Sequence, residues 1–235
     1  MTNTPRDPRE QAYRANIQLA ASGLVMGTFG NVSVADRTAG VMFIKASGVA
    51  YEELTVEHVT AVALVSGEVV DGRFRPSSDT PTHLELYGAF EACNAIVHTH
   101  SEYATVLAQA RTPIRCMGTT HADCFRGDIP VTRPMRQEEV EQDYERNTGR
   151  VIVETFRAAG ITPEEIPAVL VAYHGPFVWG PDAARAIEHA RTLEYVARLE
   201  WRLRAMGAET ERPAQCLVDR HYLRKHGSTA YYGQQ

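Results

Sequence analysis

Ala95-Ile96-Val97-His98-Thr99-His100-Ser101 decides how the rest of this chain is read. A short apolar run ends in two histidines, and the spacing predicts a buried strand over Ala95–Thr99. Helical periodicity resumes at once over Glu102–Ala110. Upstream, Asp79-Thr80-Pro81 supplies a helix start and predicts a helix running to about Phe90. Further back, Asn31–Ala35 and Val41–Lys45 are short β-branched runs joined by Asp36 to Gly40, which reads as a hairpin. Val59–Ser66 with Val69-Val70 reads as a second. Asp7-Pro8 opens an amphipathic helix over 8–24. Downstream lie a long helix over 138–159 ending at Gly160, a strand over Ala168–Ala172, and a second long helix over Asp182–Met206. A loop over Gly207–Ala214 and a short helix over Asp219–Lys225 follow. Hairpins first, then alternating strands and helices, predict an α/β fold: a three-layer α/β/α arrangement around a central mixed, mainly antiparallel sheet, in one domain spanning 1–235.

The chain has 235 residues, 44% of them hydrophobic, which suffices for a sizeable core. Formal net charge is -5, and no basic stripe with interleaved aromatics occurs, so a nucleic-acid partner is not expected. Any anion site must draw on local positive charge from a metal or a single Lys. No apolar run approaches the roughly 18 residues of a membrane span, and the polar N-terminus carries no signal-peptide pattern. Cys93, Cys116, Cys124 and Cys216 form no C-x-x-C pair and read as buried or half-buried thiols in a reducing compartment. A cytoplasmic protein without membrane attachment is the expectation.

Residues i and i+2 of a strand point to the same side, so His98 and His100 present two imidazoles to one point, a pairing suited to a tetrahedral metal ion. Two histidines at this spacing can also simply flank a sheet. Tyr173-His174-Gly175-Pro176 leaves a second apolar strand and offers a third imidazole. Asp79, at a strand-to-helix junction, offers an oxygen. Three imidazoles and at most one carboxylate suit Zn²⁺ with a position open to substrate; Mn²⁺ or Co²⁺ are possible substitutes. His58 and His189 read as surface residues, while His83 could be either surface or core.

Gly27-Thr28-Phe29-Gly30-Asn31, Ala46-Ser47-Gly48 and Pro76-Ser77-Ser78 are small polar turns whose backbone N–H groups and hydroxyls could form an anion nest, with Lys45 adding one charge. Each alone is ordinary turn chemistry.

In this order, Gly30-Asn31-Val32-Ser33, Lys45-Ala46-Ser47-Gly48, Ser77-Ser78-Asp79-Thr80-Pro81-Thr82-His83, His98-Thr99-His100-Ser101 and His174-Gly175-Pro176-Phe177 resemble the class II aldolase/epimerase superfamily. Gly118-Thr119-Thr120-His121-Ala122-Asp123, His221-Tyr222-Leu223-Arg224-Lys225-His226-Gly227 and Ala230-Tyr231-Tyr232-Gly233-Gln234 resemble its L-ribulose-5-phosphate 4-epimerase branch, with Cys124 where an aromatic is expected. The resemblance implies one Zn²⁺ held by His98, His100 and His174 with Asp79 as a further ligand. It implies a phosphate site of Gly30, Asn31, Ser47, Gly48, Ser77 and Ser78 with Lys45 nearby. Asp123 and Tyr232 would be the acid/base pair, with Glu145, His221 and Arg224 in support. A homotetramer with active sites between subunits, acting on a small sugar phosphate, is likewise implied. Three other readings stay open: a class II aldolase that releases its fragments, a non-catalytic scaffold of the adducin type, and a Schiff-base aldolase using Lys45.

Overall fold

The computed structural model describes residues 7–207, 211–227 and 230–231. Its elements run α1 (Pro8–Ala21), β1 (Asn31–Asp36), β2 (Val41–Lys45), two 3-10 turns (Tyr51–Glu53 and Val56–His58), β3 (Val59–Ala63) and β4 (Val69–Asp71). Then come α2 (Thr80–Ala89), β5 (Ala95–His98), α3 (Glu102–Gln109), α4 (Thr119–Ala122), α5 (Gln137–Glu141) and α6 (Tyr144–Ala159). β6 (Ala168–Leu170), β7 (Pro176–Gly180), α7 (Ala183–Ala205) and α8 (Gln215–His226) complete the described chain.

The strands form one seven-stranded sheet in the order β4-β3-β2-β1-β5-β7-β6. Every strand pair in it is antiparallel, and the isolated bridge Val131–Leu170 adds a parallel pairing at the β6 edge. Side-chain alternation divides the core into two layers. Ala95 and Val97 of β5, Ala168 and Leu170 of β6 and Val178 of β7 face α1, α3 and α7. Ile96, Val169, Phe177 and Trp179, between them in sequence, face α2 and α6. Period-2 burial on both faces is what a sheet sandwiched between helices requires, so the three-layer α/β/α arrangement stands.

Several element boundaries differ from the sequence reading, each for a local reason. α1 stops at Ala21, where Ser22 and the positive-φ Gly23 turn the chain. β3 stops at Ala63 rather than Ser66, since Gly67 N–H already bonds Ala63 C=O to close the turn. The helix expected over 138–159 is two helices, α5 and α6, broken at Asp143 with φ 54°. The last helix starts at Gln215, four residues before Asp219. β7 was not anticipated as a strand: Pro176 opens it, yet Phe177-Val178-Trp179 slots between β5 and β6. A proline at a strand's first position costs no interior ladder bond. Of the thiols, Cys93, Cys116 and Cys124 are buried, but Cys216, on the outer side of α8, is exposed. His189 is buried rather than on the surface, with Nδ1 2.7 Å from Trp179 C=O.

Asn16 fixes how α1 meets the sheet. β2 pairs with β1 only from Ser33 onward, so the Val32 backbone has no strand partner on that side. Asn16, completely buried, substitutes for the missing strand: its Oδ1 accepts from Val32 N–H at 2.9 Å and its Nδ2 donates to Val32 C=O at 2.9 Å. Asn16→Leu leaves both backbone groups buried and unpaired, at about 1–3 kcal/mol each. Urea unfolding of that variant should therefore show a stability loss of roughly 2–5 kcal/mol; a change below the lower bound would mean that Val32 finds other partners.

Candidate active site

β1 is antiparallel to both β2 and β5, and β5 to β7, so the start of β1, the ends of β2 and β5 and the β6–β7 turn share one edge of the sheet. The register places Asn31 opposite His98 and His98 opposite Phe177. The His98 ring stacks on Phe177 at 4.1 Å between centroids. His98 Nδ1 donates to Pro176 C=O at 2.9 Å, which leaves the Nε2 lone pair free. His100 follows two residues on, with its Nε2 3.1 Å from His98 Nε2. His174 comes in from the β6–β7 turn, where Tyr173 adopts φ 65°.

The potential ligand atoms of His98, His100 and His174 all lie within 4.8 Å of one another. Their ring centroids form a nearly equilateral triangle with sides of 4.9, 4.8 and 5.0 Å. Two nitrogens at about 2.0–2.1 Å from a tetrahedral ion sit roughly 3.3–3.4 Å apart, close to what His98 and His100 show. Metal ligation needs neutral imidazole. Burial pushes His174 down to about 3, reinforced by His98 and His100 and opposed by Asp79, and burial also lowers His100. The donor set thus fits a borderline divalent cation such as Zn²⁺ in both chemistry and spacing.

A cavity of about 380 Å³ opens beside the imidazoles. Every expected phosphate-site residue lines it: Gly30, Asn31, Lys45, Ser47, Gly48, Ser77 and Ser78, together with Asp79 and Glu145. The turns converge because they are stitched together. Ala46 pairs with Pro76, Ser47 N–H bonds Arg75 C=O at 3.0 Å, and Ser77 N–H bonds Lys45 C=O at 2.9 Å. Lys45 is 2% exposed, and burial lowers its pKa.

Asp79 stands at the N-cap position of α2 without a side-chain bond to the helix, and its Oδ2 accepts from Asn31 Nδ2 at 2.7 Å. Burial would raise its pKa, but His98, His83 and the Asn31 bond outweigh that and hold it lowered. Asp79 faces the same cavity, outside the trio of mutually close imidazoles. His83 is a core residue: it is fully buried, and its Nδ1 is 2.7 Å from Ser33 Oγ.

The sequence reading missed two residues here. Tyr144 lines the cavity, with its hydroxyl 3.4 Å from His174 Nδ1. Phe29 stacks on His100 at 5.6 Å. A tyrosine directly before Glu145, and an aromatic between two glycines, were the available signals.

Asp123, His221 and Arg224 form a separate cluster where α4 meets α8, and none of them lines the imidazole cavity. Arg224 donates to the Asp123 carboxylate through Nε at 3.0 Å and Nη2 at 2.7 Å. His221 Nδ1 sits 3.0 Å from Asp123 Oδ1, and Lys225 Nζ is 3.8 Å from Oδ2. Burial alone would raise the Asp123 pKa, but the Arg224 and His221 bonds, with Lys225, keep it lowered. Tyr232 lies outside the described residues.

Comparison with known proteins matches residues 10–201 to the Class II Aldolase and Adducin N-terminal domain. An L-fuculose 1-phosphate aldolase is similar in structure, with TM-score 0.76 and 26% identity over 93% of this chain and 95% of that one. YgbL from Klebsiella pneumoniae, for which aldolase, epimerase and decarboxylase are all named as candidate activities, gives TM-score 0.72 and 28% identity over 93% and 99%. L-fuculose-1-phosphate aldolase from Thermus thermophilus gives 0.66 and 26% over 88% and 100%.

Two outcomes follow from this geometry. Zinc content after dialysis, read by elemental analysis, should be about one ion per chain and should fall below about a tenth of that in His174→Ala. In Gly175→Ala the new Cβ would meet Thr99 C=O at 2.7 Å. That shift should weaken zinc affinity in a chelator competition by about 10–100-fold. The Asp123 cluster gives a pH dependence. Because the folded pKa is lowered, the stabilisation is present above the unfolded value of about 3.9 and is lost as pH falls through the folded value. Protection factors of the α8 amides, corrected for the intrinsic pH dependence of exchange, should be high in the wild type at pH 7 and fall only below about pH 4. In Asp123→Asn they should already be low at pH 7.

Proposed function

The chain belongs to the class II aldolase and adducin N-terminal domain family, and on that premise we propose that it is a zinc-dependent L-ribulose-5-phosphate 4-epimerase. The observation that carries the reading is the meeting, in one cavity, of three imidazoles within ligand distance of one another and the small polar turns that suit a phosphate. The product is D-xylulose 5-phosphate, and the enzyme is read as a cytoplasmic homotetramer.

The chemistry of the substrate sets what the residues must do. C4 of a 2-ketose 5-phosphate carries no acidic hydrogen, so direct deprotonation does not invert it. The C3–C4 bond is β to the carbonyl and can break by retro-aldol cleavage. His98, His100 and His174, with Asp79 as the further ligand, would hold a Zn²⁺, and such an ion would supply Lewis-acid stabilisation of the charge left by cleavage. The hydroxyls of Ser47, Ser77 and Ser78 and the backbone N–H groups of Gly48 and Ser78, near Gly30, Asn31 and the Lys45 ammonium, anchor the phosphate of glycolaldehyde phosphate. While it stays anchored, the aldehyde rotates and the bond re-forms on its other face.

The C4 oxygen points to opposite sides before and after rotation, so it needs a proton carrier on each. Asp123 and Tyr232 take these roles, with His221 and Arg224 holding the Asp123 carboxylate and Glu145 at the cavity wall. Asp123 lies outside the cavity of its own chain, which supports a subunit boundary where one chain's α4 and α8 cover the imidazole cavity of its neighbour. The short Asp79 side chain, tied to Asn31, supports epimerase over aldolase, because an aldolase is better served at that position by a longer carboxylate that reaches a proton on substrate.

Zinc-loaded protein incubated with L-ribulose 5-phosphate in D₂O should yield D-xylulose 5-phosphate with no deuterium at C4. His98→Asn should abolish turnover, and Asp123→Asn should lower kcat by roughly 10²–10⁴-fold. Accumulation of free glycolaldehyde phosphate would replace this reading with a class II aldolase, and no conversion by fully metallated protein would end it.

A further inference from the structure

Among the described residues, Lys45 is the one Lys or Arg lining the imidazole cavity, yet it has little to hold it there. Its Nζ is buried, and the hydrogen bond found for it, to Ala46 C=O, is long at 3.4 Å. What it does have is the face of Tyr51, whose ring centroid lies 4.9 Å from Nζ. Tyr51 sits in the 3-10 turn that follows the Ser47-Gly48 loop and is 6% exposed. Its hydroxyl donates to the C=O of Gly30, a residue that lines the cavity, at 2.8 Å.

Gly30 has no room to adapt. Its φ is 79°, and a Cβ there would lie 2.8 Å from His98 C=O and 2.9 Å from a Val25 methyl. The peptide that Tyr51 grips is therefore wedged against the backbone of the first imidazole. One buried phenol thus touches the ammonium through its π face and the glycine turn through its oxygen. A ring under an ammonium favours the charged form by its quadrupole, without donating a proton that would compete for an anion. Burial opposes that charge and lowers the Lys45 pKa.

We propose that Tyr51 is the positioning residue of the anion site, its ring holding the Lys45 ammonium and its hydroxyl holding the Gly30 turn so that both present to one phosphate group. The proposal rests on the reading of this cavity as a phosphate site and does not depend on which sugar carries the phosphate. Tyr51 touches neither phosphate nor reacting atoms, so its removal acts on anion affinity through Lys45 and Gly30.

The two functions of the side chain separate by substitution. Tyr51→Phe keeps the ring and deletes the bond to Gly30, and Tyr51→Leu deletes both. Titration of the zinc-loaded full chain with inorganic phosphate, by calorimetry, should show Kd weakened about threefold in Tyr51→Phe and about tenfold in Tyr51→Leu. In turnover, KM for L-ribulose 5-phosphate should rise by similar factors while zinc content stays at the wild-type level. The Leu variant should lose about tenfold more kcat/KM on L-ribulose 5-phosphate than on unphosphorylated L-ribulose, a selectivity that a merely structural tyrosine would not produce. Phosphate affinity within twofold of wild type in Tyr51→Leu overturns the proposal, as does an equal loss on the two sugars. If the Leu variant does not fold, an unchanged phosphate Kd in Tyr51→Phe overturns the hydroxyl's role. Wild-type protein that binds phosphate but does not epimerise L-ribulose 5-phosphate refutes the epimerase reading and leaves the phosphate titrations in force; failure of wild type to bind phosphate refutes the role of Tyr51.

Discussion

The site depends on a close approach of backbones at the end of β5. Thr99 C=O lies 2.7 Å from where a Cβ on Gly175 would be, and His98 C=O lies 2.8 Å from where one on Gly30 would be. Two glycines let the β1 start and the β6–β7 turn close on the outgoing strand from either side. Only that closeness puts His174 beside His98 and His100, since no helix or strand brings it there by periodicity. The His98 Nδ1 bond to Pro176 C=O locks the same junction and fixes which nitrogen of His98 faces the cavity. Side chain, backbone and ligand geometry are thus one constraint, and side-chain bulk at either glycine would be felt at the imidazoles.

Charge is placed with equal economy. The chain is net -5, yet the proposed reading asks its cavity to accept an anion. The site brings together one buried Lys, the Asp79 carboxylate, and His100 and His174, whose pKa values burial lowers. A divalent cation would then dominate the local field, and the Lys45 ammonium would add to it on the phosphate side. Low dielectric around these groups strengthens each such interaction relative to the surface.

Much of this was legible in the sequence because it is written in short-range patterns. The histidine pair at strand spacing, the glycine after His174 and the small turns at 30–31, 47–48 and 77–78 each carry local physics, and all converge as the motifs require. What escaped depends on partners distant in sequence. β7 hides behind a proline, and its strand character appears only when β5 and β6 flank it. The break at Asp143 is a single left-handed residue inside a stretch whose composition favours helix. Phe29 lies in a loop, Tyr51 in a single 3-10 turn and Tyr144 at the very start of α6, places too short or too terminal for periodicity to report which way a side chain turns. His189, inside α7, misled because polar neighbours in sequence hide its neighbour in space, the Trp179 carbonyl.

The separation of the Asp123 cluster from the imidazole cavity is the structural feature that most constrains mechanism. In its own chain the carboxylate is committed to Arg224 and His221, and it clamps α8 to α4. A carboxylate so well paired is a weak base. Arg126 adds a second clamp on α8 through Asp219 and joins it to Glu165, so α8 is braced on two sides. On the reading proposed above, the sheet edge would hold metal and phosphate, while Asp123 at the end of α4, held by its α8 partners, would serve the cavity of a neighbouring chain.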